Sequence, residues 1–195
     1  DGLQRSQFEP FIEIIKQKMQ IIEIKNNSDL RLSKENKSID NFFYPLNKKT
    51  QIEFEKLFFK SEAVQNIRTT KILSLGRMLI FKKCLSNSLS TDFNYICSYK
   101  FSANDYIKIS NSFDWIFIDN IPLLGRNKLN EIRRFIVLID ILYEKKNKVI
   151  MRAEKNIANL FQVEKSKQPY SRTVSRIVEM SSSDWLKNEI GGDFV

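Results

Sequence analysis

Two arginines near the end of the chain, Arg172 and Arg176, have the type and spacing that could bind a phosphate group. Residues four apart on a helix project from the same face, and a guanidinium group forms paired hydrogen bonds with phosphate oxygens. We predict a helix over 171–187, which places both side chains near its N-terminal turn, where the helix dipole also attracts an anion. The alternative is structural: the arginines pair with Glu179 or another acid and hold the helix in place. Spacing alone leaves both interpretations open.

A second candidate is Asp119, which directly follows the apolar run 115–118. P-loop enzymes use an acid at the end of such a strand to hold magnesium. That carboxylate works together with a G-x-x-x-x-G-K-[ST] loop that cradles the phosphates, and the five glycines of this chain stand in no such spacing. No second acid follows Asp119 either. We therefore interpret it as a residue that ends a strand and begins a turn.

Three further arginines lie at or inside predicted helices. Arg5 stands just ahead of the first predicted helix and could reach another subunit, although by itself it would not stand out. Arg133 and Arg134 are adjacent on a helix that is otherwise mostly apolar. We expect one of them to form an internal salt bridge, with Asp140 or Glu131 as the partner.

The residues that are missing exclude several classes of chemistry. The chain has no histidine, so Ser-His and Cys-His nucleophile pairs are excluded, together with the commonest transition-metal ligand. Cys84 and Cys97 stand far apart and outside any paired thiol motif. We expect both to be core thiols in a reducing compartment, and we predict no metal site.

Composition limits the number of domains that the chain can form and the charge of its possible partners. With 195 residues and 42% hydrophobic residues, the chain can bury a core and form one large domain or two small ones. Its net charge of +9 would suit a nucleotide, nucleic acid or anionic lipid, but the lysines are spread thinly and many stand beside asparagine. We interpret most of them as solvated surface lysines. There is no run of 18 apolar residues that would predict a membrane span, and Asp1 leads us to expect an N-terminal truncation.

Apolar periodicity predicts the elements of the first half of the chain. Apolar residues three and four apart indicate helices over 6–19 and 51–59. A short β-branched run indicates a strand over 20–24, and two apolar runs around a glycine indicate a β-hairpin over 70–81. We expect the aromatic and proline-containing segment 41–46 to dock onto the core without regular structure.

The second half of the chain has a more regular pattern. A capping residue and spaced apolar side chains predict a helix over 102–112. Two apolar runs, 115–118 and 149–151, flank the clearest helical pattern of the chain, over 128–146. A strand-helix-strand unit of this kind is expected to be parallel. The predicted helix over 171–187 closes the chain, and the fold class is therefore α/β.

Three blocks of sequence carry a resemblance to a known family. They are Gly2-Leu3-Gln4-Arg5 with the Phe8, Pro10, Phe11 and Ile12 that follow, then residues 131–143, then residues 172–182. In this order, and over nearly the whole chain, they resemble the ZapE-type ATPases. These are AAA-like P-loop proteins of bacteria that are implicated in cell division, with mitochondrial relatives implicated in handling inner-membrane respiratory proteins.

The resemblance implies a role for three arginines and a location for the nucleotide. In this family the Walker A loop, the Walker B acids and the first sensor strand precede the Gly-Leu-Gln-Arg block. Arg5 matches the position of an arginine finger, which would act in trans on the γ-phosphate of ATP bound by a neighbouring subunit. Arg172 or Arg176 would be the sensor arginine that touches nucleotide. ATP and Mg²⁺ are the implied cofactors, and this chain alone is expected neither to bind nor to hydrolyse ATP.

The resemblance also implies an organisation in three segments of an AAA-like P-loop ATPase, of which this chain is the C-terminal portion. Residues 1–29 would be the end of the ATPase core, with the arginine-finger helix and a following strand. Residues 30–90 would be an irregular, hairpin-containing insertion or lid. Residues 91–195 would be a C-terminal α/β segment with a helical end.

Partners and location follow from the same resemblance. It implies a homo-oligomer that remodels a protein client of cell division or of the inner membrane, with peripheral membrane association and without nucleic acid. The protein would act in the bacterial cytoplasm or on the matrix side of a mitochondrion. The alternative from a different class is a stand-alone basic module that binds nucleic acid or an acidic protein.

Overall fold

A single mixed sheet forms the centre of the chain. The computed structural model describes residues 5–19, 41–59, 66–162 and 168–187, and within these ranges six strands pair in the order β1-β6-β5-β4-β3-β2. The strands are β1 (Phe42–Phe43), β2 (Arg68–Ser74), β3 (Arg77–Leu85), β4 (Ser88–Asp92), β5 (Trp115–Ile121) and β6 (Lys148–Ala153). The helices are α1 (Arg5–Lys18), α2 (Lys48–Phe58), α3 (Phe93–Ile96), α4 (Ala103–Ser112), α5 (Leu129–Glu144), α6 (Gln168–Met180) and α7 (Ser183–Lys187).

Four neighbouring strands of the sheet pair in parallel, in the order β1, β6, β5 and β4. The predicted strand-helix-strand unit is confirmed: β5 pairs with β6 in parallel, and α5 connects them. Parallel strands are covered on both faces and therefore have continuous apolar runs. The apolar run at 115–118 and the wide apolar face of α5 therefore predicted this unit correctly.

The second half of the sheet is antiparallel and contains the predicted hairpin. β2 and β3 pair from Ser74 and Arg77 outwards, and the connecting residues Leu75 and Gly76 both have positive φ, 49° and 75°. Two positive φ angles are characteristic of the tight turns whose twist matches a hairpin. β3 then pairs with β4, and β4 with β5, so the hairpin belongs to the same sheet as the α/β unit.

That continuity bears on the expected segments. The boundary predicted at residue 90 falls inside β4, whose neighbours in the sheet come from both sides of the boundary. The described hairpin of the 30–90 segment therefore shares one sheet with strands of the 91–195 segment, and the division into three segments stays a prediction. The strand predicted over 20–24 lies outside the described residues.

Helices cover the sheet on two sides. α4, α5 and α6 pack together on the face that holds the larger apolar cluster, which includes Ile116, Ile118 and Ile139. On the other face, Phe54 and Phe58 of α2 pack against Phe117 of β5, with ring centroids 5.5 and 5.1 Å apart. Consecutive residues of β5 thus point into different clusters, as the two-residue period of a strand requires.

Two predictions about local structure need correction. The closing helix predicted over 171–187 is two helices, α6 and α7, which are separated at Ser181 and Ser182. The Ser182 hydroxyl donates to the Glu179 carbonyl at 2.7 Å and accepts from the Trp185 amide at 3.3 Å, so it ends one helix and starts the next. The segment 41–46, expected to be irregular, contributes the two-residue strand β1 to the sheet.

No helix among the described residues is long and apolar enough to span a membrane. Both thiols, Cys84 and Cys97, are buried, as expected for core residues. Burial raises the pKa of each thiol, which keeps the sulfur protonated and unreactive at neutral pH.

Candidate functional site in the groove between α5 and α6

The predicted arginine pair lies in a groove between two packed helices. α6 presents Ile177 and Met180 to the main core, where both are fully buried, and this fixes which face of the helix is turned outwards. Arg172 and Arg176, four residues apart, lie along the side of α6 that meets α5. The sequence prediction that the two guanidinium groups share a face is therefore confirmed.

Both arginines are paired with carboxylates of α5. Arg172 Nη2 lies 2.6 Å from Asp140 Oδ2, and Arg176 Nη1 lies 2.5 Å from Asp140 Oδ1. Arg176 reaches a second acid, Glu144, with Nη2 2.9 Å from Oε1. One carboxylate thus bridges two guanidinium groups, and these contacts join α6 to α5.

Arg176 is further held by an aromatic group. Its guanidinium carbon lies 4.6 Å from the ring centre of Tyr143, a distance at which a cation is attracted by the ring electrons. The Tyr143 hydroxyl donates to Glu179 Oε2 at 2.9 Å, and its ring stacks on Trp185 with centroids 5.0 Å apart. Glu179, which the sequence offered as the partner of the arginines, therefore accepts from the tyrosine.

The two arginines differ in exposure. Only 15% of the Arg176 side chain is accessible to solvent, against 54% for Arg172. Both line a shallow cavity of about 410 Å³, together with Asp140, Glu144 and Lys145. A phosphate that entered this cavity would meet three cations and two carboxylates. It would bind Arg172 more readily than Arg176, because Arg172 contacts one carboxylate through one nitrogen, whereas Arg176 is held by two acids and a ring.

We expect the two arginines to make unequal contributions to stability. Arg176→Ala should lower the free energy of unfolding by about 2 kcal/mol, because it breaks partly buried ion pairs and the contact with Tyr143. Arg172→Ala should cost less than about 1 kcal/mol, because its pair is solvent-screened. Urea unfolding of both variants measures the difference, with Arg133→Ala, an exposed arginine of α5, as the matched control. Equal losses from both variants would contradict this assignment.

A polar cluster lies at the carboxyl ends of β5 and β6, and it includes Asp119. Arg152 Nε donates to Asp119 Oδ1 at 2.7 Å, and Arg152 Nη2 donates to Asn120 Oδ1 at 2.9 Å. Asn120 has a positive φ of 55° and donates its amide to Asp92 Oδ2 at 2.9 Å. The Asp119 carboxylate is thus engaged by a buried arginine, which agrees with its interpretation as a structural residue.

Sequence reasoning missed Arg152, which is 5% exposed. The available signal was a charged residue inside the apolar run that became β6, since a buried arginine needs a carboxylate partner. No group of three or more potential metal ligands occurs in the parts of the chain that the structure describes.

The predictions for the remaining arginines fare differently. Arg134 Nη1 donates to the Cys97 carbonyl at 3.3 Å, and Arg133 is exposed, so the salt bridge expected from this pair to Asp140 or Glu131 is wrong. Asp140 instead pairs with the arginines of α6. Arg5 is the first residue of α1, which agrees with a helix that begins at this point. Its predicted role in trans stays a prediction.

The fold and its polar edge define the class of protein. Parallel strands joined by a helix, with polar residues at their carboxyl ends, characterise an open α/β domain, and this architecture agrees with a domain of the P-loop ATPase type. The chain belongs to the AFG1-like ATPase family, whose sequence model matches residues 1–189.

Individual relatives support this assignment. Cell division protein ZapE of Escherichia coli (strain K12) is 29% identical over 189 residues, which cover 97% of this chain and 50% of that protein. Lactation elevated protein 1 homolog B of Danio rerio is 29% identical over 160 residues, which cover 79% of this chain and 31% of that protein. This chain therefore spans half or less of the length of these relatives. No solved structure matches it significantly.

Proposed function

We propose that this chain provides the C-terminal part of an ATP-hydrolysing enzyme that works as an oligomer and remodels a protein partner. The observation that supports it most is the match of an ATPase family to residues 1–189. The E. coli relative is named as a cell division protein, and a client from that process would fit the proposal.

The proposal places the ATP phosphates and Mg²⁺ on residues outside the 195 of this chain. The printed sequence contains no glycine-rich lysine loop, and the strand-end carboxylate of Asp119 is engaged by Arg152. Arg5 would act on nucleotide bound by a neighbouring subunit, where its guanidinium group would stabilise the charge that develops on the γ-phosphate.

The groove between α5 and α6 would report the state of that nucleotide. Arg172 is the better candidate for the residue that touches an anion, because it is half exposed at the cavity and has a single carboxylate partner among the described residues, Asp140. Arg176 would keep α6 attached to α5 whether or not Arg172 is engaged. Exchange of Asp140 for a phosphate would then change the contact between the two helices.

ATP hydrolysis by the parent polypeptide tests the main proposal. We expect its activity per subunit to rise with protein concentration, because a site completed by a neighbour requires assembly. The 195-residue chain alone should show no saturable binding of a fluorescent ATP analogue with Mg²⁺. Tight binding of ATP by this chain alone, or activity independent of concentration and of assembly, would contradict the proposal.

A substitution at Arg172 tests the sensor role separately. In the parent polypeptide, Arg172→Ala should raise the KM for ATP by about tenfold, the effect of losing one charged hydrogen bond, without a matching loss of stability. Arg133→Ala serves as the control and should leave KM unchanged. If KM stays at the wild-type value in Arg172→Ala, the groove does not sense nucleotide, although the enzyme could still hydrolyse ATP.

A further inference from the structure

The outer face of the β2–β3 hairpin exposes large apolar side chains. Leu73 is 64% exposed, Leu75 71%, Met78 50% and Ile80 42%. We call these four residues the hairpin patch. Leu73 lies directly across from Met78 in the ladder, and Ile80 follows two residues further along the same side of β3, so the patch is contiguous.

An apolar surface at these positions is unusual for an antiparallel hairpin. Such sheets commonly bury one face and turn polar residues to water on the other. The inward positions of this hairpin, including Ile72, Leu79 and Phe81, already fill the main core. The patch occupies the alternate, outward positions, so the core does not account for it, and contiguous exposed apolar surface often marks an interaction site.

The patch lies on the sheet face that α2 covers elsewhere. Thr70 pairs with Phe81 and Arg68 with Cys84, so β3 has one extra residue here, and this bulge moves Leu85 to the outward side. Leu85 packs with Phe54 and Phe58 of α2. The hairpin patch therefore continues a surface on which a helix of this same chain already packs.

Lys83 marks the border between the covered and the uncovered part of this face. Its Nζ lies 3.6 Å from Glu55 of α2 and 5.3 Å from the Phe58 ring. Beyond this lysine, towards the turn of the hairpin, the patch residues are exposed. The exposed apolar surface next to α2 is therefore a candidate position for a second helix on the same face of the sheet.

Charge restricts what can occupy this position. Residues 68–85 contain five basic residues and no acidic residue. Lys71, directly across from Ile80, and Lys82 are both exposed. A second copy of the same patch would bring these lysines together at close range, which is unfavourable. An occupant with acidic residues beside its apolar ones would pair with them.

The strand ends next to the turn of the hairpin are fixed to α4. Ser74 and Arg77, on either side of the turn residues Leu75 and Gly76, both donate to the buried carboxylate of Asp105 on α4. The patch is therefore a supported two-stranded face with Leu75 at its end, and an apolar face with basic residues beside it suits the apolar side of an amphipathic helix with acidic flanks.

We propose that the hairpin patch docks an amphipathic helix of a protein partner whose polar flanks carry Asp or Glu. The interaction extends the proposed function by naming the chemistry of a partner, and it does not depend on nucleotide. Its failure would therefore leave the ATPase proposal intact, and failure of the ATPase proposal would leave this interaction intact.

The test uses fluorescence anisotropy with the full chain and a labelled helical peptide that has leucines at positions i, i+3, i+4 and i+7, glutamates only at the positions that flank them, and alanine and glutamine at the remaining positions. We expect saturable binding that weakens at least about tenfold in the double variant Leu73→Ser/Met78→Ser. The charge-reversed variant Lys71→Glu/Lys82→Glu should weaken it similarly, and more at low salt than at high salt. Ile52→Ser, at an exposed apolar position on α2, is the matched control and should bind like the wild type.

Three outcomes would overturn the proposal. The first is the absence of saturable binding of the glutamate peptide, or equal binding of a peptide with lysine in place of every glutamate. The second is binding to phosphatidylglycerol vesicles that the double variant abolishes while peptide binding is unaffected. The third is a wild-type dimer in light scattering that Leu73→Ser/Met78→Ser converts to a monomer, because the patch would then be covered by a second copy.

Discussion

Arg5→Ala in the parent ATPase is expected to lower kcat for ATP hydrolysis by about a thousandfold or more, the range found for loss of an arginine finger. The affinity for ATP and the stability of the subunit should stay close to wild type, because the finger contributes mainly to the charge of the transition state. Arg5 is the first residue of α1. Steady-state hydrolysis and ATP binding, measured side by side, separate the two effects.

A mixing experiment shows whether Arg5 acts between subunits. On the proposed function, a parent variant with its phosphate-loop lysine replaced would bind no ATP but keep Arg5, whereas the Arg5→Ala variant would bind ATP but have no finger. Mixed assemblies should regain part of the activity that each variant lacks alone. Lys16→Ala, on the same helix and exposed, is the control and should retain activity. Full hydrolysis by the Arg5→Ala variant would reject the finger assignment.

Patterns within one element were sufficient to predict much of the fold. The helix α5 was predictable because its apolar residues repeat with the helical period, and its buried set includes Ile132, Leu138 and Leu142. The hairpin was predictable because a glycine separated two apolar runs, and its turn needs two positive φ angles. In both cases the information is local, so no knowledge of tertiary contacts was required.

Contacts between distant parts of the chain were not predictable in the same way. Spacing showed that Arg172 and Arg176 share a face, but it did not identify Asp140, more than 30 residues away, as their partner. Glu179 was closer in sequence and stands on the same helix, yet it accepts from Tyr143 of α5. Which acid an arginine meets depends on how the helices pack, and helical periodicity contains no information on that choice.

The break between α6 and α7 was missed for a related reason. Ser182, with Asp184 in the first turn that follows, has the composition of a helix start, but the helical spacing of the apolar residues continues across it. Its hydroxyl caps α7 and bonds to α6, while Trp185 is drawn into the core by its stacking on Tyr143. Tertiary packing of the tryptophan thus decides where the first helix ends.

Asp105 is the clearest case of a structural role that only the folded chain reveals. It lies three residues after Ser102, which precedes α4, and its carboxylate accepts from the Ser102 amide at 2.7 Å and hydroxyl at 2.8 Å. It also accepts from the Ser74 hydroxyl at 2.5 Å and from Arg77. One fully buried carboxylate therefore attaches both strands of the hairpin to α4.

Asp105→Ala is expected to lower the free energy of unfolding by about 3 kcal/mol, the lower end of the range for a broken buried ion pair, because Arg77 is partly exposed and its pairing is screened. The loss comes mainly from the buried Ser74 hydroxyl, which is left without its acceptor. Urea unfolding measures it, and Asp114→Ala, which removes an exposed carboxylate with one side-chain donor, Asn87, should cost less than about 1 kcal/mol. Similar losses from both variants would contradict the role of Asp105 in attaching the hairpin to α4.

The same carboxylate should make stability depend on pH in a predictable direction. Burial alone raises the pKa of Asp105, but hydrogen bonds from Ser74 and Ser102 and the charge of Arg77 outweigh it and lower the pKa below its ordinary value. Because the unfolded chain binds the proton more readily, this stabilisation is complete above the unfolded pKa of about 3.9 and is lost as the pH falls through the lower folded value. Asp105→Asn, which carries no titrating group, should therefore be less stable than wild type at neutral pH, and the gap should narrow on acidification. A gap that stays constant from pH 7 to the acid limit would show that the charge of Asp105 contributes nothing to holding the hairpin on α4.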